Sequence, residues 1–275
     1  MPSVLVTGAG RGLGLAITRH LSTHGWEVYA TARSEDALRE LAVIPHVHPT
    51  RLDITDRASV SALAAQLPAG LDGVVNNAGI VVNGPVEGLT LDRLEHQLDV
   101  NVVAQIAVTQ AVLPKIRAAG GRIVFISSIS GWLTVPGNGA YCASKYALES
   151  LADALRMELR PWKIPVSLVE PGAIRTDIWT GILDDHDRME SELTEEHRAL
   201  YRSHLTGMRT LLGRMQKTAA DPDKVVKAVD HALTARRPKR RYLLDPASRV
   251  QKIVVRLAPT AVTDAVLSAV TTSRR

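Results

Sequence analysis

Tyr141 and Lys145 stand four residues apart in Ala140-Tyr141-Cys142-Ala143-Ser144-Lys145, within a stretch of helical periodicity. Both side chains therefore project from one face of the predicted helix. A free phenol, with a pKa of about 10, is a reluctant acid or base near neutrality. An ammonium at ~4 Å favours phenolate by up to ~4 kcal/mol at an effective dielectric of 20, which allows a fall of up to about three pH units. Carbonyl reduction needs such a proton donor, a hydride donor, and a group that stabilises developing alkoxide charge. Many solvated surface helices carry the same Tyr-x-x-x-Lys spacing, so the rest of the chain must supply the hydride source.

That source is indicated at the start of the chain. Thr7-Gly8-Ala9-Gly10-Arg11-Gly12-Leu13-Gly14 follows a short apolar run and opens a helical stretch. Glycine lets the backbone approach a pyrophosphate closely, and a helix N-terminus offers unpaired N–H groups and a positive dipole end. Immediately after a first strand, such a turn is a dinucleotide signal. Its spacing is Gly8-x-x-x-Gly12-x-Gly14, not the general Gly-x-Gly-x-x-Gly.

The elements that position these residues alternate along the chain. Strand patterns fall near residues 3–7, 27–32, 46–52, 71–76, 123–127 and 165–169, with a last one at 241–244. Helical patterns fall near 12–24, 34–42, 56–67, 90–118 and 140–159. Repeated strand–helix units predict an α/β fold: a Rossmann-type doubly wound parallel sheet of about seven strands, with its ligand crevice beyond the carboxyl ends of the strands. After Pro171 the polar, helical stretch over about 176–218 reads as a lid, and about 246–275 as a helical tail. The whole chain, 1–275, reads as one domain.

The glycine spacing preceded by Thr7 resembles the short-chain dehydrogenase/reductase family, and further motifs support this in order: Asn76-Asn77-Ala78-Gly79 after the fourth strand, Asp99-Val100-Asn101 in the long helix, Ser128 after the fifth strand, Tyr141 thirteen residues on with Lys145, and Pro171-Gly172 with Thr176 after the sixth. The resemblance is strong over about 3–176. It implies that Tyr141 exchanges a proton with the substrate oxygen, that Ser128 hydrogen-bonds that oxygen, that Lys145 binds the nicotinamide ribose and tunes Tyr141, and that Asn101 orders a water leading to Lys145. Ser127 and Ser130 compete for the serine role; only the thirteen-residue offset selects Ser128. Cofactor contacts are implied for Thr7, Gly8, Gly10, Arg11, Gly12, Leu13, Gly14, Asn77, Ala78, Gly79, Tyr141, Lys145, Pro171, Gly172, Ile174 and Thr176. A homodimer or homotetramer, paired through the helices near 90–118 and 140–159, is implied as well.

NADP(H) is the expected cofactor. NAD would need an acidic residue at the end of the second strand; Ala32 stands there, followed by Arg33, whose guanidinium can meet a 2′-phosphate. Arg11 adds a second positive charge. The lesser alternative is that Arg33 merely begins a solvated helix. Asp53 resembles the family residue that contacts adenine, and can equally cap a helix within Asp53-Ile54-Thr55-Asp56. The substrate expectation is a hydrophobic alcohol or carbonyl compound, against a wall drawn from Trp132, Leu133, Val135, Trp179, Ile182, Leu183 and Met208, or from residues that only fasten the lid. Thr31-Ala32-Arg33, the lid and the tail resemble the family's steroid- and retinol-oxidising members. The alternative functions are a non-catalytic NADP-binding regulatory or scaffold protein, or a membrane-surface-associated retinol- or steroid-type dehydrogenase.

The composition agrees with an enzyme of this kind. Hydrophobic residues make up 45% of 275 and aromatics only 4%, with one Phe, so a core of Val, Leu, Ile and Ala is expected. The single cysteine, Cys142, forms no intrachain disulfide and reads as a small buried hydrophobe. No signal peptide or membrane span is evident, which points to the cytoplasm. The nine histidines show no metal-ligand spacing, so no metal is expected. The net charge of +5 gathers late, in Arg236-Arg237-Pro238-Lys239-Arg240-Arg241 and Arg274-Arg275. No nucleic-acid module surrounds this run, so no nucleic acid is expected. It reads as a solvated loop, and weak contact of the basic C-terminal region with an anionic membrane surface is the other reading.

Overall fold

The computed structural model describes residues 1–175 and 178–272, the side chains at 178–180 and 246 excepted. Thr176, the Trp179 side chain and Arg274-Arg275 lie outside the described residues.

The elements run β1 (Ser3–Val6), α1 (Gly12–Thr23), β2 (Glu27–Ala32), α2 (Glu35–Ala42), β3 (Val47–Arg51), α3 (Arg57–Leu63), β4 (Gly73–Asn76), α4 (Leu91–Leu98), a π-helical turn (Asp99–Val103), α5 (Ala104–Ala119), β5 (Arg122–Ile126), α6 (Gly139–Glu158), β6 (Val166–Glu170), α7 (Ile178–Glu192), α8 (Glu195–Lys217), α9 (Asp223–Thr234), β7 (Arg241–Leu243), α10 (Pro246–Leu257) and α11 (Thr260–Thr271). The seven strands form one parallel sheet in the order β3-β2-β1-β4-β5-β6-β7. The order reverses between β1 and β4, which opens a crevice at their carboxyl ends.

Successive strand side chains feed opposite layers. Val4 and Val6 pack with Ile17 and Leu21 of α1 and Val225 and Val229 of α9. Leu5 between them joins Leu63 of α3, Val108 and Val112 of α5 and Leu148 of α6, together with Phe125, the one phenylalanine. Burial on both faces explains why the strands read as continuous apolar runs. Edge strand β3 tolerates Pro49, where a ladder donor is dispensable.

Three helical stretches are divided. The expected helix over 90–118 carries a π turn at Asp99–Val103, where one extra residue enters the helix. The lid breaks at Leu193, and Thr194 caps α8 through the His197 amide. The tail breaks at Ala258-Pro259, because proline disfavours helical backbone in its predecessor. No helix among the described residues is long and apolar enough to cross a membrane.

Candidate active site

The glycine turn leaves β1 in a backbone shape that needs glycine. Gly8 and Gly12 have φ of +64° and +54°. A Cβ at Gly14 would lie 2.2 Å from the Gly8 carbonyl oxygen, so α1 packs directly on the turn. Arg11 caps α1 without a side-chain hydrogen bond, and the first turn holds no acidic residue. The N-terminal N–H groups and the positive dipole end are thus left for an anion, which fits a nucleotide pyrophosphate.

The loop after β4 is stitched to this turn. The Thr7 hydroxyl accepts from the amides of Asn77 and Ala78 at 3.0 and 3.1 Å. In return, the Asn77 side-chain amide donates to the carbonyls of Thr7 and Gly8 at 2.9 and 3.2 Å. Beneath the loop runs a buried polar stripe that sequence reasoning found only in part. Asn101, in the π turn, clasps Ile80: its Oδ1 accepts from the Ile80 amide and its Nδ2 donates to the carbonyl, both at 2.9 Å. Gln97 Oε1 accepts from the Val82 amide at 2.7 Å, and Gln105 donates to the Ala78 carbonyl at 2.7 Å. Gln97, Asn101 and Gln105 recur every four residues, and that spacing of polar residues on an otherwise apolar face was the available signal. Gly79 lies close over Asn101, where a Cβ would stand 3.2 Å from Oδ1.

Asn101 reaches Tyr141 through Ser144, also unanticipated. Asn101 Nδ2 donates to Ser144 Oγ at 3.1 Å, and Ser144 Oγ donates to the Tyr141 carbonyl at 2.7 Å. Asn101 therefore fixes the first turn of α6, and among the described residues no hydrogen bond joins its side chain to Lys145.

Three serines after β5 part company. Ser128, which accepts from the Ser130 amide at 3.1 Å, hydrogen-bonds to the Tyr141 phenol and draws its pKa down. Ser130 acts in the same way on Cys142, whereas the Ser127 hydroxyl is buried and, among the described residues, has no hydrogen-bond partner. Lys145 Nζ lies 5.7 Å from the Tyr141 ring centre and donates to the Ile126 carbonyl at 2.9 Å. The electrostatics differ from the expected lysine-depressed phenol. Desolvation pushes Tyr141 up to about 12 against the pull of Ser128. Desolvation also lowers Lys145 to about 8, opposed by Glu149. Burial thus moves the two groups apart, Tyr141 upward and Lys145 downward. Cys142 is buried and its thiol is pushed up by desolvation, as suits a packing residue.

At the adenosine end, Ala32 closes β2 and Arg33 is exposed. Among the described residues neither Arg33 nor Arg11 forms an ion pair, so both guanidiniums face solvent beside the turn. Asp53 does not cap α3; Asp56 does, through the Ala58 amide. Asp53 Oδ1 instead accepts from the Thr55 hydroxyl and amide at 2.7 and 3.0 Å, and these bonds, chiefly the hydroxyl's, hold its carboxyl below the usual range. Beyond β6, Ile129 donates to the Pro171 carbonyl at 3.0 Å, Ile174 pairs with Ala220 in a parallel bridge, and Gly172 lines a cavity of about 340 Å³.

The expected apolar wall is largely reassigned. Of its described members, Met208 lines a cavity of about 220 Å³ with Val86, Pro136, Met189 and Leu205, between the loop before α6 and the lid helices. Ile182 packs on Met208 and Leu212, with Leu183 beside them. Leu133 is buried, its carbonyl accepting from Cys142 Sγ at 3.6 Å. Trp132 turns inward, its indole donating to Glu170 at 2.9 Å. Arg93 of α4 holds the lid, bonding both Asp185 oxygens at 2.9 and 3.0 Å and Glu192 at 3.2 Å.

Arg241 also departs from expectation. Arg236, Arg237, Lys239 and Arg240 are exposed, but Arg241 is half-buried between acidic side chains.

Comparison with known proteins agrees with this arrangement. Residues 2–187 match the family model for short chain dehydrogenase. Human retinol dehydrogenase 5 is 34% identical over 279 residues, covering 96% of this chain and 87% of its own. A short-chain dehydrogenase from Streptomyces avermitilis superposes with a TM-score of 0.76 at 29% identity, over 98% of this chain and 97% of that one. An alcohol dehydrogenase from Thermococcus sibiricus, solved with 5-hydroxy-NADP, gives 0.61 at 26% identity over 64% and 78%.

Proposed function

Because the chain belongs to the short-chain dehydrogenase/reductase family, we propose that it is an NADP(H)-dependent oxidoreductase interconverting a hydrophobic alcohol and its ketone or aldehyde. The observation that carries this reading is the convergence of Ser128, Tyr141 and Lys145 beside a glycine turn whose helix N-terminus is free of acid. NADP(H), when bound, supplies or accepts the hydride and, when oxidised, brings a positive charge. In the reducing direction the Tyr141 hydroxyl gives its proton to the substrate oxygen while Ser128 hydrogen-bonds that oxygen. Lys145 would hold the nicotinamide ribose, and Asn101 would order a water leading to Lys145. A phenol held near 12 carries its proton at neutral pH but is a weaker acid than a free phenol, so its transfer relies on the alkoxide charge that develops on the substrate oxygen.

The exposed Arg33 after Ala32 supports the phosphorylated cofactor, as does the 5-hydroxy-NADP bound by the Thermococcus protein. The apolar cavity under the lid and the likeness to a retinol dehydrogenase support a hydrophobic substrate. Val103, Tyr146, Leu151 and Met157 are exposed on the π turn and α6, which supports pairing of two copies there.

The test is turnover of hydrophobic aldehydes and ketones with NADPH, comparing the native protein with Tyr141→Phe. Activity that falls by at least ~10²-fold with NADPH binding retained is expected; full turnover by Tyr141→Phe refutes the mechanism.

A further inference from the structure

Beneath the reacting cluster lies a partly buried network of charge that the proposed chemistry does not use. Glu149, one helical turn beyond Lys145, is 8% exposed, and Glu170 at the end of β6 is fully buried. Both meet Arg241 of β7, whose Nε lies 2.9 Å from Glu149 and 3.1 Å from Glu170, while Nη2 reaches Asp153 at 2.7 Å. Asp153 also pairs with Arg156 at 2.9 Å. Glu170 accepts from Lys252 of α10 at 2.7 Å and from the Trp132 indole at 2.9 Å. Gly131 lets the network close, since a Cβ there would stand 2.8 Å from Glu149 Cγ.

Burying several charges is a poor way to stabilise a fold, because desolvation can exceed the Coulombic gain. The network's position points to another use. Lys145 is itself buried, and burial favours its neutral form; the Glu149 carboxylate opposes this. Glu149 in turn is pushed above the usual carboxylate range by burial and by Glu170, and Arg241, paired with it at 2.9 Å, pulls the other way.

We infer that Glu149 is the positioning residue for the charge of Lys145: its carboxylate, paired with Arg241 and backed through Glu170 by Lys252, holds Lys145 as an ammonium where the reaction runs. The inference rests on the role proposed for Lys145. It gives β7 and α10 a part in the site's electrostatics although neither touches the reacting atoms. The groups facing Lys145 are Tyr141 and Glu149 from α6 and the Ile126 carbonyl from β5. Those facing Glu149 are Ser127, Glu170 and Arg241.

Carbon-13 NMR of lysine Cε reads the inference directly, with the Lys145 signal identified by its loss in Lys145→Met. Glu149→Gln should lower the Lys145 midpoint from about 8 by about one pH unit, and the alkaline limb of kcat/KM should move with it. Glu149→Asp should restore most of the native midpoint. Asp153→Asn, which loses an Arg241 contact two turns from Lys145, should leave it nearly unmoved. An unchanged midpoint in folded Glu149→Gln overturns the inference. Should that variant not fold, the native Lys145 signal must show a second inflection at the pH where the Glu149 carboxyl titrates, and its absence is equally fatal. NMR needs no turnover, so an inactive protein that titrates as expected would count only against the proposed reaction.

Discussion

The ammonium of Lys145 donates to the main-chain carbonyl of Ile126 at 2.9 Å, which anchors the lysine to the end of β5, two residues before Ser128. Serine, tyrosine and lysine are therefore held by one strand end and one helix, and their relative placement does not depend on the lid.

That anchoring keeps a cation where burial disfavours it. The folded pKa of Lys145, about 8, lies below its unfolded value, so the cost is fully present below 8 and is relieved as pH rises above it. Lys145→Met should raise stability at pH 7 by on the order of 1–3 kcal/mol, a gain that shrinks towards pH 10, while turnover collapses. Urea unfolding at the two pH values checks it; a less stable variant at pH 7 contradicts it.

The same titration bears on activity. If Lys145 works as an ammonium, kcat/KM falls as pH rises through about 8. A profile flat from pH 7 to 10 would remove the lysine's charge from the chemistry.

Thr7 satisfies two amides of the neighbouring loop from one buried hydroxyl. Thr7→Val keeps the shape and leaves both unpaired, at a cost of about 1–3 kcal/mol. NADPH should also bind more weakly, since the turn and the loop after β4 lose their register. Denaturant midpoints and cofactor titration report the two effects separately.

Arg33→Ala should raise the KM for NADPH roughly tenfold and change that for NADH little, because only the former carries a 2′-phosphate for the guanidinium. Equal losses with both cofactors would return Arg33 to the solvated start of a helix.

Arg93 ties α4 to α7 through Asp185 and Glu192. Arg93→Ala should raise substrate KM several-fold with a smaller change in kcat, as the lid loses a bidentate clasp while the reacting cluster stays in place.

The tail exposes Val250, Ile253, Val254 and Leu257 on α10. If it meets an anionic membrane surface, Ile253→Ser with Leu257→Ser should abolish sedimentation with phosphatidylserine vesicles and leave turnover intact. Truncating the tail would confound this, because Lys252 on the same helix pairs with Glu170.

The linear chain by itself determined the alternation of strands and helices, the parallel sheet and the glycine turn, because these follow from periodicity, from glycine's freedom at positive φ and from short-range caps. It also placed Tyr141 and Lys145 on one helical face, a matter of a single turn. Only the tertiary structure decided what those residues experience. Choosing Ser128 over Ser127 and Ser130 depends on which hydroxyl meets the phenol across elements. The inward turn of Trp132 and Arg241 depends on two carboxylates, Glu149 and Glu170, brought together from α6 and β6. Charge states are the extreme case. Four residues of spacing suggested that Lys145 would depress Tyr141, but desolvation depends on every neighbour that excludes water, and it raises Tyr141 while lowering Lys145.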